Sequence, residues 1–275
     1  MTEGKKLRVA ATIAGSDSGG GAGIQADLKT FSAYGVHGVS VITCITAQNP
    51  KEVLAVQEVE PSVVEKQLEA VFKELRPSAA KTGMLYSERI INVVSDFFTT
   101  VKKCPLVVDP VMVATSGAKL LKDDAISALE KKLFPLAKVI TPNIDEISVL
   151  LNRKIKDVDD FRASAKELYE KYGCAVLVKG GHLNVGAQVV DIFYDGKDEL
   201  AFTSPRRRGG SIHGTGCCLS AAIAAGLALD MKMESALSAA KDYIANAIKF
   251  NVKIGKYVAL NHNWPFVLNY NNIFK

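Results

Sequence analysis

Several features that would place a protein in a specialised class are missing from this 275-residue sequence. No apolar run approaches the roughly 18 residues of a membrane span, so we expect a soluble protein without membrane partners. The five cysteines form neither a C-x-x-C pair nor a zinc-binding spacing, which favours reduced thiols and a cytoplasmic location. The net charge of +5 is too small and too scattered to indicate binding to nucleic acid. Without repeats or long linkers, residues 1–275 are expected to form one domain.

Two nucleotide-binding signatures are also absent. No G-x-x-x-x-G-K-S/T sequence occurs, which excludes a P-loop enzyme. Residues 21–26 do fit G-x-G-x-x-A after a predicted strand, as in dinucleotide-binding proteins. That fingerprint requires an acidic residue about 20 positions further on to hold the ribose. Because no Asp or Glu lies between Asp27 and Glu52, we reject a dehydrogenase.

What the sequence does contain is a regular alternation of strand and helix patterns. Short runs rich in Val, Ile and Ala alternate with amphipathic segments along most of the chain. This order predicts an α/β fold with a mostly parallel central sheet and helices on both faces. Two segments, Gln188–Tyr194 and Leu200–Thr203, flank the turn residues 195–197 and predict an antiparallel pair. We therefore expect a small β element at one edge of the sheet.

Polar or glycine-containing motifs follow the predicted strands repeatedly. In open α/β sheets, ligands bind beyond the carboxyl ends of the strands, so the shared position of these motifs indicates a site. They are Gly15-Ser16-Asp17, Gln48-Asn49, Lys81–Met84, Asp109-Pro110, Asn143 with Glu146, Lys179–His182 and the glycine-rich stretch 209–222.

The glycine-rich stretch predicts an anion site. It runs through Gly214, Thr215 and Gly216 into a long apolar segment, which is how a loop delivers a helix N-terminus to a phosphate. Cys217 falls in the first turn, where the pKa of a thiol tends to be lowered. The alternative is an ordinary glycine turn before a core helix.

The charged groups near the strand ends suggest a phosphate and metal site. Lys179 ends a buried strand, where a lysine is costly unless it reaches an anion. Asp109 and Glu146 could hold Mg²⁺ through water, although Asn143 and Glu146 could equally well only cap a helix. From position alone, Asp27 reads as a solvated helix residue, and Gln48 and His213 (at the start of the glycine-rich turn) read as loop and turn residues.

Together these residues suggest phosphoryl transfer. Nucleotide phosphates would lie against Lys179 and the helix that begins near Gly214, and a small polar acceptor would lie over Gly15, Asp27 and Gln48. Such a reaction needs positioning and charge neutralisation more than covalent chemistry. Between donor and acceptor, a side chain such as Cys217 could take the hydroxyl proton.

The motifs resemble those of the hydroxymethylpyrimidine/phosphomethylpyrimidine kinases of thiamine biosynthesis, in the ribokinase-like superfamily. The resemblance runs from about Arg8 to about Ile248. It rests on seven motifs in the family's order: AGSDSGGGAGIQADLKTF (14–31), VITCITAQN (41–49), KTGML (81–85), DPVMVATSG (109–117), TPNIDE (141–146), VKGGH (178–182) and HGTGC (213–217).

The resemblance implies roles for individual residues. Pyrimidine binding falls to Gly15, Asp27 and Gln48, with Met84 and Val111 as apolar walls. The Mg-nucleotide side comprises Asn143, Glu146, Lys179 and Thr215, with Asp109 and Glu146 nearest the metal. Gly214 and Gly216 form the anion hole with Lys179, and Cys217 is the implied base, where sugar kinases of the superfamily carry Asp.

The implied activity is ATP- and Mg²⁺-dependent phosphorylation of 4-amino-5-hydroxymethyl-2-methylpyrimidine, followed by phosphorylation of its monophosphate to the diphosphate. The resemblance also implies a ribokinase-like fold and a homodimer. Two alternatives stay open: a pyridoxal kinase, which shares the fold and the cysteine-bearing turn, and a non-catalytic regulator that binds a pyrimidine.

Overall fold

A nine-stranded sheet forms the centre of the computed structural model, which describes residues 7–112, 121, 123–181, 188–206 and 212–266. Its strands are β1 (Val9–Asp17), β2 (His37–Gln48), β3 (Val53–Glu58), β4 (Ala79–Thr82), β5 (Leu106–Val108), β6 (Val139–Ile140), β7 (Ala175–Val178), β8 (Gln188–Tyr194) and β9 (Glu199–Pro205). The spatial order is β3-β2-β1-β4-β5-β6-β7-β8-β9. The six neighbouring strands β2, β1, β4, β5, β6 and β7 pair in parallel. The outer strands β3, β8 and β9 pair antiparallel with their neighbours. The predicted mostly parallel sheet is confirmed, and β8–β9 lie at one edge.

Eight α-helices connect or flank the described strands. They are α1 (Gly23–Ala33), α2 (Pro61–Glu74), α3 (Glu88–Thr100), α4 (Asp123–Ala128), α5 (Ile144–Leu150), α6 (Val158–Tyr172), α7 (Thr215–Ala228) and α8 (Met233–Lys249). After α4 the chain continues through a π-helical turn (Leu129–Leu133) and a 3₁₀ turn (Phe134–Leu136). Among the described residues, none of these helices has both the length and the apolar composition to cross a membrane.

The two faces of the sheet carry separate hydrophobic cores. Successive residues of a strand point to opposite faces, so Ala10 and Ala11 belong to different cores. Side chains of α2, α3 and α6, including Leu68, Ile90 and Phe161, pack on one face. The other face is covered by α1, α7 and α8. Helices on both faces are therefore confirmed.

Helix α7 is buried almost all round because it lies between the sheet and its neighbours. Ten of its 14 residues are buried, half of them alanine, and it contacts both α1 and α8. Small side chains let these elements approach closely. This packing holds the N-terminus of α7 at the carboxyl edge of the sheet.

A second, two-stranded sheet follows α8. Strands β10 (Val252–Ile254) and β11 (Tyr257–Ala259) pair antiparallel around a Gly255-Lys256 turn, and Gly255 has a φ of 57°. Glycine suits this position because a two-residue hairpin turn requires positive φ there. The sequence pattern beyond Gly255 predicts no element, so this hairpin is an addition. Motif residues 113–117, His182 and 209–211 lie outside the described residues.

Candidate active site

A cavity of about 1220 Å³ lies at the carboxyl edge of the parallel strands. Its lining includes every predicted site residue except Asp27. Those residues are Gly15, Gln48, Met84, Asp109, Val111, Asn143, Glu146, Lys179, Gly214, Thr215, Gly216 and Cys217. The side chains that follow separate strands in the sequence therefore share one space.

The sheet itself brings several of these residues together. Asp109 directly follows β5, and Asn143 and Lys179 follow the neighbouring strands β6 and β7. A single parallel β-bridge joins Asn143 to Lys179, whose amide donates to the Pro142 carbonyl at 2.9 Å. Parallel pairing thus extends three residues past β6 and one residue past β7, which fixes the backbone on this side of the cavity.

The Lys179 ammonium group forms an ion pair with Asp109. Its Nζ donates to Asp109 Oδ1 at 2.8 Å, and the side chains are 13% and 3% exposed. Thr141 donates to the same oxygen and Ser220 to the other, both at 3.2 Å. Although burial opposes it, the nearby lysines hold the pKa of Asp109 below its usual value.

Glu146 has two functions at the start of α5. Its Oε2 accepts from the Asn143 amide at 2.8 Å, while Asn143 Oδ1 accepts from the Glu146 amide at 3.0 Å, which completes a capping box. Burial raises the pKa of this carboxyl even though the Lys179 charge opposes the shift. Asn143 and Glu146 therefore do cap α5, and the Glu146 carboxylate also lines the cavity.

The first turn of α7 faces Lys179. Gly214 begins it with a φ of 84°, and an added Cβ there would lie 1.8 Å from the Gly21 carbonyl oxygen. A Cβ on Gly216 would lie 3.4 Å from Lys179 Nζ. Gly214 is therefore needed for the close approach to the β1–α1 loop, whereas a Cβ on Gly216 would be in ordinary contact with the ammonium group. The exposed amides and the lysine charge make this wall suited to phosphate.

Cys217 differs from expectation in its acidity. Burial raises the pKa of the thiol to about 11, and Asp27 and Asp109 add to the shift. Lys81 and a hydrogen bond with the Gly23 backbone oppose it without overcoming it. The prediction of a lowered pKa in the first helical turn is wrong, because desolvation outweighs the effect of the helix terminus.

A second lysine–aspartate pair lies beneath the cavity. Lys81 Nζ donates to Asp27 Oδ2 at 2.8 Å, and both side chains are 0% exposed. Thr12 donates to the same oxygen at 2.6 Å. Asp27 does not line the cavity, whereas Lys81 does. Sequence reasoning assigned Lys81 no role; the signal available was a lysine inside a strand of alanines, Ala79–Thr82.

The acceptor side is built from close contacts around Gly15. A Cβ at this position would lie 2.7 Å from Cys44 Sγ and 3.4 Å from Met84 Sδ, so only glycine fits. Val111 has a φ of 44°, a left-handed conformation that a β-branched residue adopts only when its surroundings enforce it. Backbone strain of this kind concentrates at functional sites.

Asp17 and His213 also lie at the cavity, although sequence reasoning assigns a role to neither residue. The Asp17 carboxylate accepts the amides of Gly19, Gly21 and Ala22 at 2.8–3.1 Å. Although burial opposes it, hydrogen bonds from His213 and the loop amides lower the pKa of Asp17. His213 Nε2 lies 3.2 Å from Asp17 Oδ2 and 3.1 Å from Gln48 Nε2. These contacts join segments almost 200 residues apart, which no local pattern could indicate.

A wall suited to phosphate faces a small polar pocket, and a cysteine lies at the same cavity. This arrangement, at the carboxyl edge of an α/β sheet, is that of a small-molecule phosphotransferase. Comparisons with known proteins identify its family. The sequence model described as phosphomethylpyrimidine kinase matches residues 17–262. A hydroxymethylpyrimidine/phosphomethylpyrimidine kinase of Rhizobium meliloti is 50% identical over 241 residues, covering 87% of this chain and 90% of the relative.

Solved structures agree with this assignment. A phosphomethylpyrimidine kinase from Clostridium difficile has a TM-score of 0.78 and 44% identity, covering 88% of this chain and 100% of that one. The ADP complex of a Bacillus subtilis pyridoxal kinase has a TM-score of 0.87 and 35% identity, covering 94% and 99%. The chain belongs to the phosphomethylpyrimidine kinase family. The predicted ribokinase-like fold and kinase activity in thiamine biosynthesis are confirmed.

Proposed function

We propose that the chain transfers the γ-phosphoryl group of ATP to the hydroxymethyl group of 4-amino-5-hydroxymethyl-2-methylpyrimidine, and then a second phosphoryl group to the monophosphate. The observation that carries this proposal is the shared cavity: Lys179 and the first turn of α7 line the same space as Gly15 and Gln48. In each step the acceptor oxygen forms a bond to the γ-phosphorus, and the bond from that phosphorus to the ADP oxygen breaks. The hydroxymethyl group loses its proton in the first step, whereas the phosphate of the monophosphate is already ionised and attacks without losing one.

The phosphate side would hold the nucleotide. Lys179 lies against the α7 first turn, where its charge and the free amides would bind the transferred phosphate together. The cavity continues past Val189 and Ser204 of β8 and β9 to Asn246 of α8. Five strand spacings separate β1 from β8, which is roughly 24 Å. That length accommodates a nucleotide and a small acceptor end to end.

The residues at this wall fit a magnesium ion. Asp109 and Glu146 supply buried carboxylate oxygens, the ligand type Mg²⁺ prefers, and this ion keeps several waters and needs few protein carboxylates. A bound Mg²⁺ would neutralise phosphate charge during transfer. The described residues contain no cluster of three or more His, Cys, Asp or Glu side chains that could hold a metal. Asp109 and Glu146 would then hold the metal together with the nucleotide phosphates.

Cys217 is the proposed base. Its sulfur belongs to the first turn of α7 and lines the cavity, so a thiolate there would accept the acceptor's hydroxyl proton as the oxygen attacks. Gln48, Met84 and Val111 would bind the heterocycle. Asp27 is held by Lys81 and Thr12, and we propose that it acts on the substrate through Lys81.

A homodimer and a cytoplasmic location are also part of the proposal. The β2–β3 edge exposes two large apolar side chains, Ile45 and Leu54, at 54% and 70%, which suits an interface with a second copy. All five cysteines are free thiols, and three of them are buried, as suits a reducing compartment. Light scattering in solution tests the dimer, and a monomeric mass would contradict it.

The activity is tested by coupled ADP-release assays with the pyrimidine alcohol, its monophosphate and pyridoxal. We expect turnover of both pyrimidines and a clear preference for them over pyridoxal. Cys217→Ala should lose most turnover while still binding ATP. Unchanged turnover by this variant would refute Cys217 as the base.

The second candidate is a pyridoxal kinase. Structures of Staphylococcus aureus pyridoxal kinase, one in complex with AMP-PCP and pyridoxal, share this fold at a TM-score of 0.84 and 32% identity. A higher kcat/KM for pyridoxal than for the pyrimidine alcohol would establish this alternative. Pyrimidine binding without any ADP release would instead indicate the regulator.

A further inference from the structure

The imidazole of His213 lies between two groups that make opposite demands on its Nε2 atom. Asp17 Oδ2, at 3.2 Å, is a carboxylate oxygen and can only accept a hydrogen bond. Gln48 Nε2, at 3.1 Å, is an amide nitrogen and can only donate one. A single ring nitrogen cannot satisfy both at once.

The carboxylate decides the proton's position. The Gly21 and Ala22 amides donate to the same Asp17 oxygen, at 3.1 and 2.8 Å, and hold it in its ionised form. An unprotonated Nε2 would turn its lone pair toward that oxygen. His213 therefore carries its proton on Nε2 and donates to Asp17. The amide group of Gln48 must then present its oxygen to the ring, because two donors would otherwise face each other.

Thr46 supports the same orientation from the other side. Its hydroxyl has one proton, which it donates to the Ser16 carbonyl at 2.9 Å. The end of the Gln48 amide that faces Thr46 lies 3.4 Å from this hydroxyl oxygen. With its proton engaged, the hydroxyl can only accept, so the NH₂ group of Gln48 belongs on this side. The two neighbours of Gln48 thus require the same amide orientation.

We infer that His213 is a positioning residue that fixes the Gln48 amide with its oxygen toward the imidazole and its NH₂ group toward Thr46. The inference rests on the proposed function in taking Gln48 as the residue that contacts the heterocycle. Fixing the amide fixes the order in which a donor and an acceptor are presented to the substrate ring.

That order discriminates between the two candidate substrates. The pyrimidine alcohol carries an amino donor at C4 beside the ring acceptor N3. Pyridoxal carries an aldehyde, which is an acceptor, where the pyrimidine has its amino group, and a hydroxyl group where the pyrimidine has N3. A fixed amide suits one pattern and opposes the other, whereas a freely rotating amide adapts to either. Sites built to hydrogen-bond a substrate reject mismatched analogues strongly because buried polar groups are left unpaired.

The proton position is tested directly by long-range ¹H–¹⁵N correlation spectra of protein labelled on histidine. The sequence has four histidines, and His213→Phe identifies the signals of His213. We expect a proton on Nε2 in the wild type near neutral pH. An unprotonated Nε2 with the proton on Nδ1 would overturn the inference. This readout is independent of turnover, so it stands apart from the test of the proposed function.

Kinetics test the consequence for specificity. His213→Phe keeps a ring but removes the donor, and we expect the ratio of kcat/KM between the preferred alcohol and the other to fall about tenfold or more. The change should appear as a raised KM for the preferred alcohol, with KM for ATP within about twofold. His213→Gln, whose amide can donate to Asp17, should keep most of the discrimination.

The control is His37→Phe, a substitution of the same type at an exposed position at the start of β2. It should leave every kinetic constant unchanged. The inference would be overturned if His213→Phe kept the wild-type ratio of kcat/KM between the two alcohols. It would also be overturned if this ratio fell equally in His213→Phe and His213→Gln.

Discussion

Two lysine–aspartate pairs at the same bond length of 2.8 Å lie on either side of the cavity surface. In the lower pair, Lys81 and Asp27 are completely buried, and Asp27 Oδ1 has no hydrogen-bond partner. In the upper pair, Lys179 is 13% exposed, and Asp109 has all its oxygens engaged. Lys179 lies beside Gly216 in the first turn of α7, whereas Lys81 acts on Cys217 of the same turn through its charge.

The two pairs differ in whether the lysine has access to a second anionic partner. Under the proposed function, Lys179 would leave Asp109 for a nucleotide phosphate that enters the cavity it lines. Lys81 has Asp27 as its partner, and removing one member of a fully buried pair leaves an uncompensated charge. We therefore interpret Lys179 as a binding group and Lys81 as a fixed charge that acts on the site from below.

The largest expected effect on stability is at the lower pair. Lys81→Met should lower the free energy of unfolding by about 3–5 kcal/mol, since it leaves Asp27 buried without its partner. Denaturant unfolding measures the change. The double variant Lys81→Met/Asp27→Leu should lose much less. A single variant as stable as the wild type would remove the distinction between the two pairs.

Substitution in the upper pair should lower activity strongly and stability less than substitution in the lower pair. Lys179→Met is expected to lower kcat about 10²- to 10³-fold, the usual cost of removing one group that stabilises transferred charge. Its unfolding free energy should fall less than that of Lys81→Met, because Lys179 is partly exposed and two hydroxyl groups, those of Thr141 and Ser220, still donate to Asp109. Steady-state kinetics and denaturant unfolding give both numbers.

Lys241→Met is the matched control for Lys179→Met. Lys241 pairs with Asp191 at 2.6 Å, is 14% exposed and also lines the cavity, but contacts β8. We expect a loss of activity below about tenfold. Equal losses in the two variants would mean that any lysine at this cavity has the same effect.

The raised pKa of Cys217 should appear in the pH dependence of kcat/KM. With the pKa of Cys217 near 11, the thiolate fraction grows about tenfold for each pH unit from 7 to 9, and kcat/KM should rise with it. In Cys217→Asp, whose carboxylate is already ionised, the profile should be flat. Cys104→Ser, at a half-buried thiol in the core, should keep the wild-type slope. A flat wild-type profile would exclude the thiolate as base.

The smallest effects compare the hydroxyl groups of the two pairs. Thr12→Val removes a 2.6 Å hydrogen bond to Asp27 and should cost about 1.5–3 kcal/mol of stability, as for other bonds to charged groups. Ser220→Ala should cost about 1 kcal/mol or less, since Lys179 and Thr141 still donate to Asp109. Thermal unfolding under identical conditions compares them. A larger loss of stability in Ser220→Ala than in Thr12→Val would contradict the interpretation of the lower pair as the structural one.

The phosphate side could be predicted from the sequence because its residues follow strands directly. Asp109, Asn143 and Lys179 each come just after a short apolar run, and parallel pairing forces such positions to one edge. The strand and helix boundaries agree within a few residues for the same reason: the hydrophobic periods of 2 and 3.6 are local. The roles of Gln48 and Met84 came from the family resemblance and stay predictions.

What could not be predicted depends on three-dimensional burial. The lysine inside β4 stands out in the sequence, but the sequence does not show that the folded chain encloses its side chain completely, so it predicts no role for Lys81. The Cys217 pKa was predicted in the wrong direction because the helix terminus is visible in the sequence, whereas the desolvation that exceeds it is not. The contact of His213 with Asp17 needs the folded sheet to bring two distant loops together.

Three of the described helices start at the cavity, and they differ in how their first amides are occupied. Asp17 takes the amides just before α1, and Asn143 and Glu146 cap α5. Helix α7 instead begins at Gly214, without a side-chain cap. Two starts thus carry their own anion and the third has none. Under the proposed function, the first turn of α7 is therefore the helix start that would bind the transferred phosphate, and both rounds of phosphorylation would use it in turn.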